Sequence, residues 1–498
     1  MISVSDFSYR FNGNEDYTLR NINIKIDNGD FLVITGPSGC GKSSFALAIS
    51  GYLFNQFEGE FEGQINIDDM NISKANIYDI ADKVGLVQQN PEAQFCTLTV
   101  IDEIAFGLEN RCIPPDEIKR RVDWSLEIVG ASHLIDREIA SLSGGEKQKI
   151  AIAAMMASKP EVIIFDEPTS NLDPTATREI FEVISELRRK SNTTVIVIEH
   201  KTTFLASFQP RVVYMEKGSI LQSYADTTIE PLQRDYIQQN RTSYYHYKSQ
   251  DPIIKINNLH AGYDGKKVLH DINLNFFGGD FVSIMGDNGS GKSTLIRNIM
   301  GFVEPIQGII EINNKPIKDS PFHERALTIG LVFQNPEHQL FANSVWDEAV
   351  FAPKNFDIFN DKVTEMTEDL LQKAGLKKYK NRHPYRLSYG EKRRLNLISV
   401  LTYTPNCLLL DEVLIGQDNK NASFLIELLL STVKDGGVVL MVNHNPDISY
   451  QFANRLLFFE KGKVTIDAPI QEAFELLERN GNSNYLPTYY RPTQSIIQ

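Results

Sequence analysis

Asp166 and Glu167 end the apolar run Val162-Ile163-Ile164-Phe165, which is short enough for a strand buried in a parallel sheet. Acids at the carboxyl end of such a strand lie where α/β sheets bind ligands. One carboxylate there can hold Mg²⁺ while its neighbour polarises a water. Just upstream, Ser143-Gly144-Gly145-Glu146 has the S-x-x-E spacing of a capping box, which starts a helix with free backbone N–H groups at a glycine-lined tip. The Ala- and Met-rich run from Ile150 to Ala157 continues that helix. Nearer the N-terminus, Gly36-Pro37-Ser38-Gly39-Cys40-Gly41-Lys42-Ser43 fits G-x-x-x-x-G-K-[ST]. Its glycines let backbone N–H groups wrap a β-phosphate, Lys42 reaches the β/γ-oxygens, and the Ser43 hydroxyl can ligate Mg²⁺.

Such a loop needs a strand before it and a helix after it. Phe31–Thr35 supplies the strand pattern, and Ser44 to Ser50 the helix. The same device returns at Gly286-Asp287-Asn288-Gly289-Ser290-Gly291-Lys292-Ser293, followed by Thr294 and preceded by the strand pattern Phe281–Met285. Lys42 and Lys292 stand 250 positions apart. Gln89 and Gln334, Ser143 and Ser388, and Asp166 and Asp411 are each 245 apart, and His200 and His444 are 244 apart. Five chemically equipped positions in one order and near-constant register mean a tandem duplication. The halves are expected at residues 1–225 and 253–498, joined by a polar linker over 226–252 whose Tyr244, Tyr245 and Tyr247 are expected to pack on a neighbouring domain, a recognition role being the alternative. Each half should run from a β-rich start into a nucleotide-binding core and then a helical insert, about Phe95 to Pro160 and Phe341 to Pro405. The return to the core uses Thr193–Ile198 and Val438–Val442, strand patterns that lead to His200 and His444. A histidine in the same place in both halves is expected to face the phosphate pocket.

The chain of 498 residues is too long for one core. Its 50 Lys and Arg against 64 Asp and Glu give a net charge of −14, which argues against a surface that coats nucleic acid. No run approaches the eighteen apolar residues of a membrane span, and the start MISVSDFSYRFNG lacks the regions of a signal peptide. Cys40, Cys96, Cys112 and Cys407 have no C-x-x-C spacing, so the expectation is a cytosolic chain without required disulfides.

With these residues in place, the chain resembles a pair of fused ATP-binding-cassette (ABC) ATPase domains, over nearly all of both halves. The motifs that carry the resemblance are the two Walker A loops, Gln89 and Gln334 as Q-loops, the LSGGE and LSYGE signatures, Walker B with its glutamate, the D-loops and the switch histidines. It implies an α/β fold of two P-loop NTPase domains, each with a RecA-like core, an antiparallel β-subdomain and a helical subdomain. It also implies ATP and Mg²⁺, with Ser43, Ser293, Gln89 and Gln334 on the metal and Asp166 and Asp411 supporting it. Glu167 and Glu412 would be general bases, Gln89 and Gln334 would also serve the reaction centre, and His200 and His444 would contact the γ-phosphate. Tyr9 and Tyr263 would stack on adenine, the alternative for either being a core tyrosine. In this family two cassettes face each other head to tail, here within one chain. Ser143 and Gly145, or Ser388 and Gly390, would then close over the opposite nucleotide with a helix N-terminus aimed at its charge. The second half departs from the pattern: it reads LDEVLIGQDN against FDEPTSNLDP, keeping Asp418, and Tyr389 replaces a signature glycine. Tyr389 would border the nucleotide held by Lys42, and the resemblance implies two competent but unequal sites.

The segments after the two glutamines share an Asn-Pro-Glu-x-Gln core, Gln89–Phe95 and Gln334–Phe341, and are followed by TVIDEIAFGLEN and SVWDEAVFAPKN. These resemble the ATPases of energy-coupling-factor (ECF) importers, which take up vitamins and transition-metal ions. That implies an integral membrane coupling protein, a small membrane substrate-binding protein and a place on the cytoplasmic face of the membrane. Glu92, Asp102, Glu103, Glu337, Asp347 and Glu348 would supply charge complementary to a basic partner, or else form an ordinary solvated acidic face. Two alternatives stay open: a sugar-type ABC importer ATPase, and a soluble ABC-F protein acting on ribosomes. The short, weakly basic linker and the acidic chain suit RNA poorly.

Overall fold

Phe31-Leu32-Val33-Ile34 is apolar without alternation because both faces of its strand are covered. Phe31 and Val33 point into one core with Phe165, Val195 and Val197, whereas Leu32 and Ile34 point into another with Ile164, Ile196 and Ile198. The period-2 geometry of a strand thus divides one apolar run between two layers. The first core lies under the helical insert, through Ile104, Leu126 and Ile152. The second lies against a separate antiparallel sheet, through Val4, Ile24 and Ile65. The same division recurs at Phe281–Gly286, where Val282 and Ile284 face one core and Phe281 and Met285 another.

In the computed structural model the described residues are 1–13, 15–170, 172–191, 193–199, 205, 208–224, 251–414, 417, 419–488 and 490. They fall into two compact units divided between Asp235 and Tyr236. His200, Asp418, residues 226–250 of the expected linker and its tyrosines Tyr244, Tyr245 and Tyr247 lie outside the described residues.

The antiparallel sheet of the first unit runs in the order Leu19–Ile26, Ile2–Phe11, Gly59–Ile67, Met70–Asn71. Its larger sheet runs Ser219–Tyr224, Arg211–Glu216, Phe31–Thr35, Thr194–Ile198, Val162–Asp166, Val84–Val87. All neighbours in it are parallel except the first pair, a hairpin. The second unit repeats both sheets. The antiparallel one is ordered Lys266–Phe276, Ile254–Tyr263, Gln307–Ile312, Lys315–Pro316. The mixed one is ordered Ile329–Val332, Cys407–Asp411, Val438–Val442, Phe281–Gly286, Arg455–Glu460, Lys463–Pro469. The expected α/β fold, with an antiparallel and a mixed sheet in each unit, is the one observed.

The inserts fall where the sequence places them. Helices Val100–Glu109, Pro115–Ile128 and Gly144–Ala157 form the first. Val345–Asn355, Asp361–Lys373 and Tyr389–Leu401 form the second. Capping boxes start the last helix of each insert, at Ser143 with Glu146 and at Ser388 with Glu391. One boundary shifts. The helix after the first glycine-rich loop is Lys42–Ile49 rather than Ser44 to Ser50, because Gly41 at φ 105° turns the chain sharply enough for the lysine itself to enter the first turn.

Candidate active site

The carboxyl ends of the parallel strands bring the sequence-predicted residues together within each unit. Gly36 follows its strand at φ 148°, and a Cβ there would stand 2.0 Å from the Met215 carbonyl oxygen. Gly286 repeats this at φ 136°, with a Cβ 2.2 Å from the Phe459 oxygen. Only glycine fits so close to the neighbouring strand. Each loop then arches over its own lysine. Lys42 Nζ donates to the Gly36 and Pro37 carbonyls at 2.9 Å, and Lys292 Nζ to those of Gly286 and Asp287 at 2.8 Å. The ammonium is buried in both units.

One residue further on, Ser43 Oγ donates to Asp166 Oδ1 at 3.1 Å, and Ser293 Oγ to Asp411 Oδ1 at 3.3 Å. Hydroxyl and carboxylate oxygens so placed are hard donors of the kind Mg²⁺ takes, together with substrate phosphates. The loop also fits a phosphate. Ser290 Oγ is buried with no hydrogen-bond partner among the described residues, although it belongs to the loop itself.

Glu167 and Glu412 come next, and both have left-handed backbones, φ 46° and 54°. A non-glycine residue persists there only when its surroundings hold it. The Glu167 N–H donates to Ile198 O at 2.9 Å, and the Glu412 N–H to Val442 O at 3.2 Å. Each side chain meets the expected glutamine: Gln89 Nε2 donates to Glu167 Oε2 at 2.7 Å, and Gln334 Nε2 to Glu412 Oε2 at 2.8 Å. In the second unit His444 Nε2 lies 2.7 Å from Glu412 Oε1. Burial pushes the Glu412 carboxyl up, but the His444 imidazole, Lys292 and Arg393 outweigh it and hold Glu412 below its ordinary range. Asp411 moves the other way, raised by burial and then by its charged neighbour Glu412. The two adjacent acids are thereby pushed apart in acidity.

Ser143 and Ser388 are exposed at their helix N-termini, with Gly145 and Gly390 partly buried beside them. Each cap is reciprocal. Glu146 N donates to Ser143 Oγ at 3.3 Å while Glu146 Oε2 accepts from Ser143 N at 2.7 Å.

Tyr9 is corrected. It is 1% exposed, with its ring edge-on to Phe11 at a centroid distance of 5.0 Å, so it offers no free face to a base. Strand alternation is the cause, because Phe7 and Tyr9 both point inward. The ten-residue strands Ile2–Phe11 and Ile254–Tyr263 share their burial pattern at all but the last position, so Tyr9 corresponds to the buried Ala261 and the partly buried Phe11 to Tyr263, which is 39% exposed. Tyr263 Oη accepts from Arg297 at 3.4 Å, on the helix that follows the glycine-rich loop. A constant offset of 252 along these strands was the signal for Phe11.

The six acids also divide. Glu103 and Glu348 are buried, 8% and 2% exposed, and hold the loop ahead of their helices. Glu103 Oε2 accepts from Cys96 N and Thr97 N at 2.9 Å, and Glu348 Oε2 from Phe341 N at 2.9 Å and Ala342 N at 2.8 Å. They are loop anchors and present no charge to a partner. Asp102 and Asp347 accept from their cap residues Thr99 and Ser344 at 2.6 Å. Glu92 pairs with Lys147, and Glu337 with Lys392 at 2.5 Å.

Two such arrangements define a P-loop nucleotide-binding protein with a duplicated site. Comparison with known proteins narrows the class. The sequence profile described as "ABC transporter" matches residues 19–170 and 269–414. An ABC transporter ATP-binding protein of Methanosarcina mazei is 33% identical over 94% of this chain and 88% of its own length. One from Vibrio vulnificus is 30% identical over 95% and 90%. A solved structure of cbiO1 from Clostridium perfringens, described as part of the ABC transporter complex cbiONQ, is 30% identical with a TM-score of 0.41, covering 47% of this chain and 98% of that one. The chain belongs to the ABC transporter family, as an ATP-binding subunit with ATPase activity. Such subunits work with transmembrane partners, and no helix among the described residues is long and apolar enough to cross a membrane.

Proposed function

We propose that this chain energises an ECF-type importer of a vitamin, metal ion or other micronutrient through ATP-driven closure of its two cassettes. It would act at the cytoplasmic face of the membrane with an integral coupling protein and a small membrane substrate-binding protein. The observation that carries the reading is the Asn-Pro-Glu-x-Gln turn present in both units. Asn90 Oδ1 accepts from Glu92 N at 3.1 Å and Asn335 Oδ1 from Glu337 N at 2.9 Å, which folds each turn tightly beside its Q-loop glutamine. Lys147 and Lys392 then tie Glu92 and Glu337 to the signature helices. A partner pressing on the turn would therefore move Gln89 or Gln334 and the signature helix together. Exposed apolar side chains lie close in sequence, Leu98, Ile101 and Phe106 in the first unit and Phe341 and Phe351 in the second. A hydrophobic partner would cover such a surface.

In this reading Ser43 with Asp166 and Gln89, and Ser293 with Asp411 and Gln334, hold Mg²⁺, which when bound neutralises charge on the β/γ-oxygens. Lys42 and Lys292 turn their ammonium groups from the loop carbonyls to the phosphates. Glu167 and Glu412 orient the attacking water as general bases, with His200 and His444 at the γ-phosphate. The test is recovery of the tagged full chain from native membranes in mild detergent, with partners identified by mass spectrometry. Small, very hydrophobic proteins are expected, and Glu92→Lys with Glu337→Lys should reduce their yield several-fold by reversing the charge of both turns. Recovery of ribosomal proteins instead would overturn the importer reading.

A further inference from the structure

Arg393 is 2% exposed on the signature helix Tyr389–Leu401, from which it reaches Gln334 and Glu412, both distant in sequence. One guanidinium nitrogen, Nη1, donates to the Glu412 carbonyl oxygen. The other, Nη2, donates to the Gln334 carbonyl oxygen and to Tyr389 Oη, both at 2.9 Å. The Tyr389 ring lies against the same group, 4.9 Å from ring centroid to guanidinium carbon. Gln334 and Glu412 are the two residues whose side chains meet at 2.8 Å, so Arg393 joins their main chains behind the contact their side chains make in front. Glu412 is also the residue held at φ 54°.

Among the described residues the first unit shows no counterpart of this clamp at Gln148. The register of 245 places Gly144 opposite Tyr389 and Gln148 opposite Arg393. Gln148 is equally buried, but its Nε2 has no hydrogen-bond partner among the described residues, and Gly144 has no ring to set beside it. The contrast lies in a bifurcated, charge-assisted clamp of the kind a planar guanidinium makes and a neutral amide cannot.

We propose that Arg393, backed by Tyr389, is the positioning residue of Glu412, fixing its strained main chain and its distance from Gln334 and tying both to the signature helix. This rests on Glu412 being the general base of its unit. The clamp acts through the main chain of Glu412, so its loss lowers turnover at that site and leaves nucleotide affinity in place.

The test is steady-state ATP hydrolysis by the full chain in two backgrounds. Glu167→Gln leaves Glu412 as the working base, and Glu412→Gln leaves Glu167. In the first background Arg393→Gln is expected to lower kcat about tenfold, with KM for ATP within about twofold. In the second the loss should be at most about threefold. Arg393→Lys keeps the charge and one of the two carbonyl bonds, and should recover part of the loss. Tyr389→Gly alters an exposed side chain, and in the first background should lower kcat by about threefold, which keeps the test decisive should Arg393→Gln fold poorly. Equal losses in the two backgrounds, a raised KM with kcat intact, or full activity of Tyr389→Gly together with no partial rescue by Arg393→Lys would overturn the proposal. Undiminished hydrolysis in the combined Glu167→Gln, Glu412→Gln chain would instead remove the general-base reading beneath it.

Discussion

Glu348 shows how a single side chain can look like surface charge in a sequence and serve as a loop anchor in the fold. One carboxylate oxygen accepts two backbone N–H groups, and burial raises the carboxyl above its ordinary range more than those bonds lower it. The sign of the pH effect follows. A raised folded-state pKa favours the protonated form, so the stability it contributes is present at low pH and is lost as pH rises through that raised value. Glu348→Gln keeps an oxygen acceptor without the buried charge. It should therefore unfold no more easily than the natural chain at neutral pH, and any advantage should close on acidification through the carboxylate range. Glu348→Ala leaves two buried donors without a partner and should cost about 1–3 kcal/mol. Chemical denaturation of both variants at neutral and acidic pH checks both statements. A Gln variant as unstable as the Ala variant would mean that the charge itself is needed.

Among the elements, the signature helices are the most self-contained, because each carries its own start signal. Ser143→Ala removes the acceptor of the Glu146 N–H and should lower the stability of the first unit by about 1 kcal/mol, read as a drop in its thermal unfolding midpoint. Glu146 is held below its ordinary range first by the Ser143 backbone N–H. Its contribution is thus present above the unfolded carboxylate pKa and is lost as pH falls through the lowered one. Local chemistry of this sort was legible in the sequence: the capping boxes, the glycine-rich loops and the strands Phe31–Thr35 and Val438–Val442 are written in consecutive residues. What failed to show was decided by distant packing. Tyr9 reads as an aromatic ahead of a phosphate loop, but the inward face of its strand claims it, and Phe11, on that same face at the strand's end, is only partly buried against the same core. Arg393 reads as one more basic residue on a helix until folding sets it behind Gln334 and Glu412. The duplication held both answers, since Phe11 matches Tyr263 and Gln148 matches Arg393 once the registers are laid strand by strand and helix by helix.

The molecule as a whole carries two copies of one site layout with different supports. The Gln–Glu contact is present in both units, at 2.7 and 2.8 Å, while among the described residues the arginine clamp is seen only in the second. With Glu167 and Glu412 as the proposed general bases, hydrolysis should end only when both are disabled. The direct measurement is ATP turnover by the full chain carrying Glu167→Gln and Glu412→Gln, with ATP binding followed in parallel. General-base catalysis contributes about 10²–10⁴-fold, so turnover should fall to about 1% or less while ATP still binds. Turnover equal to that of the natural chain would contradict the assignment of both glutamates, and with it the account of how this protein uses ATP.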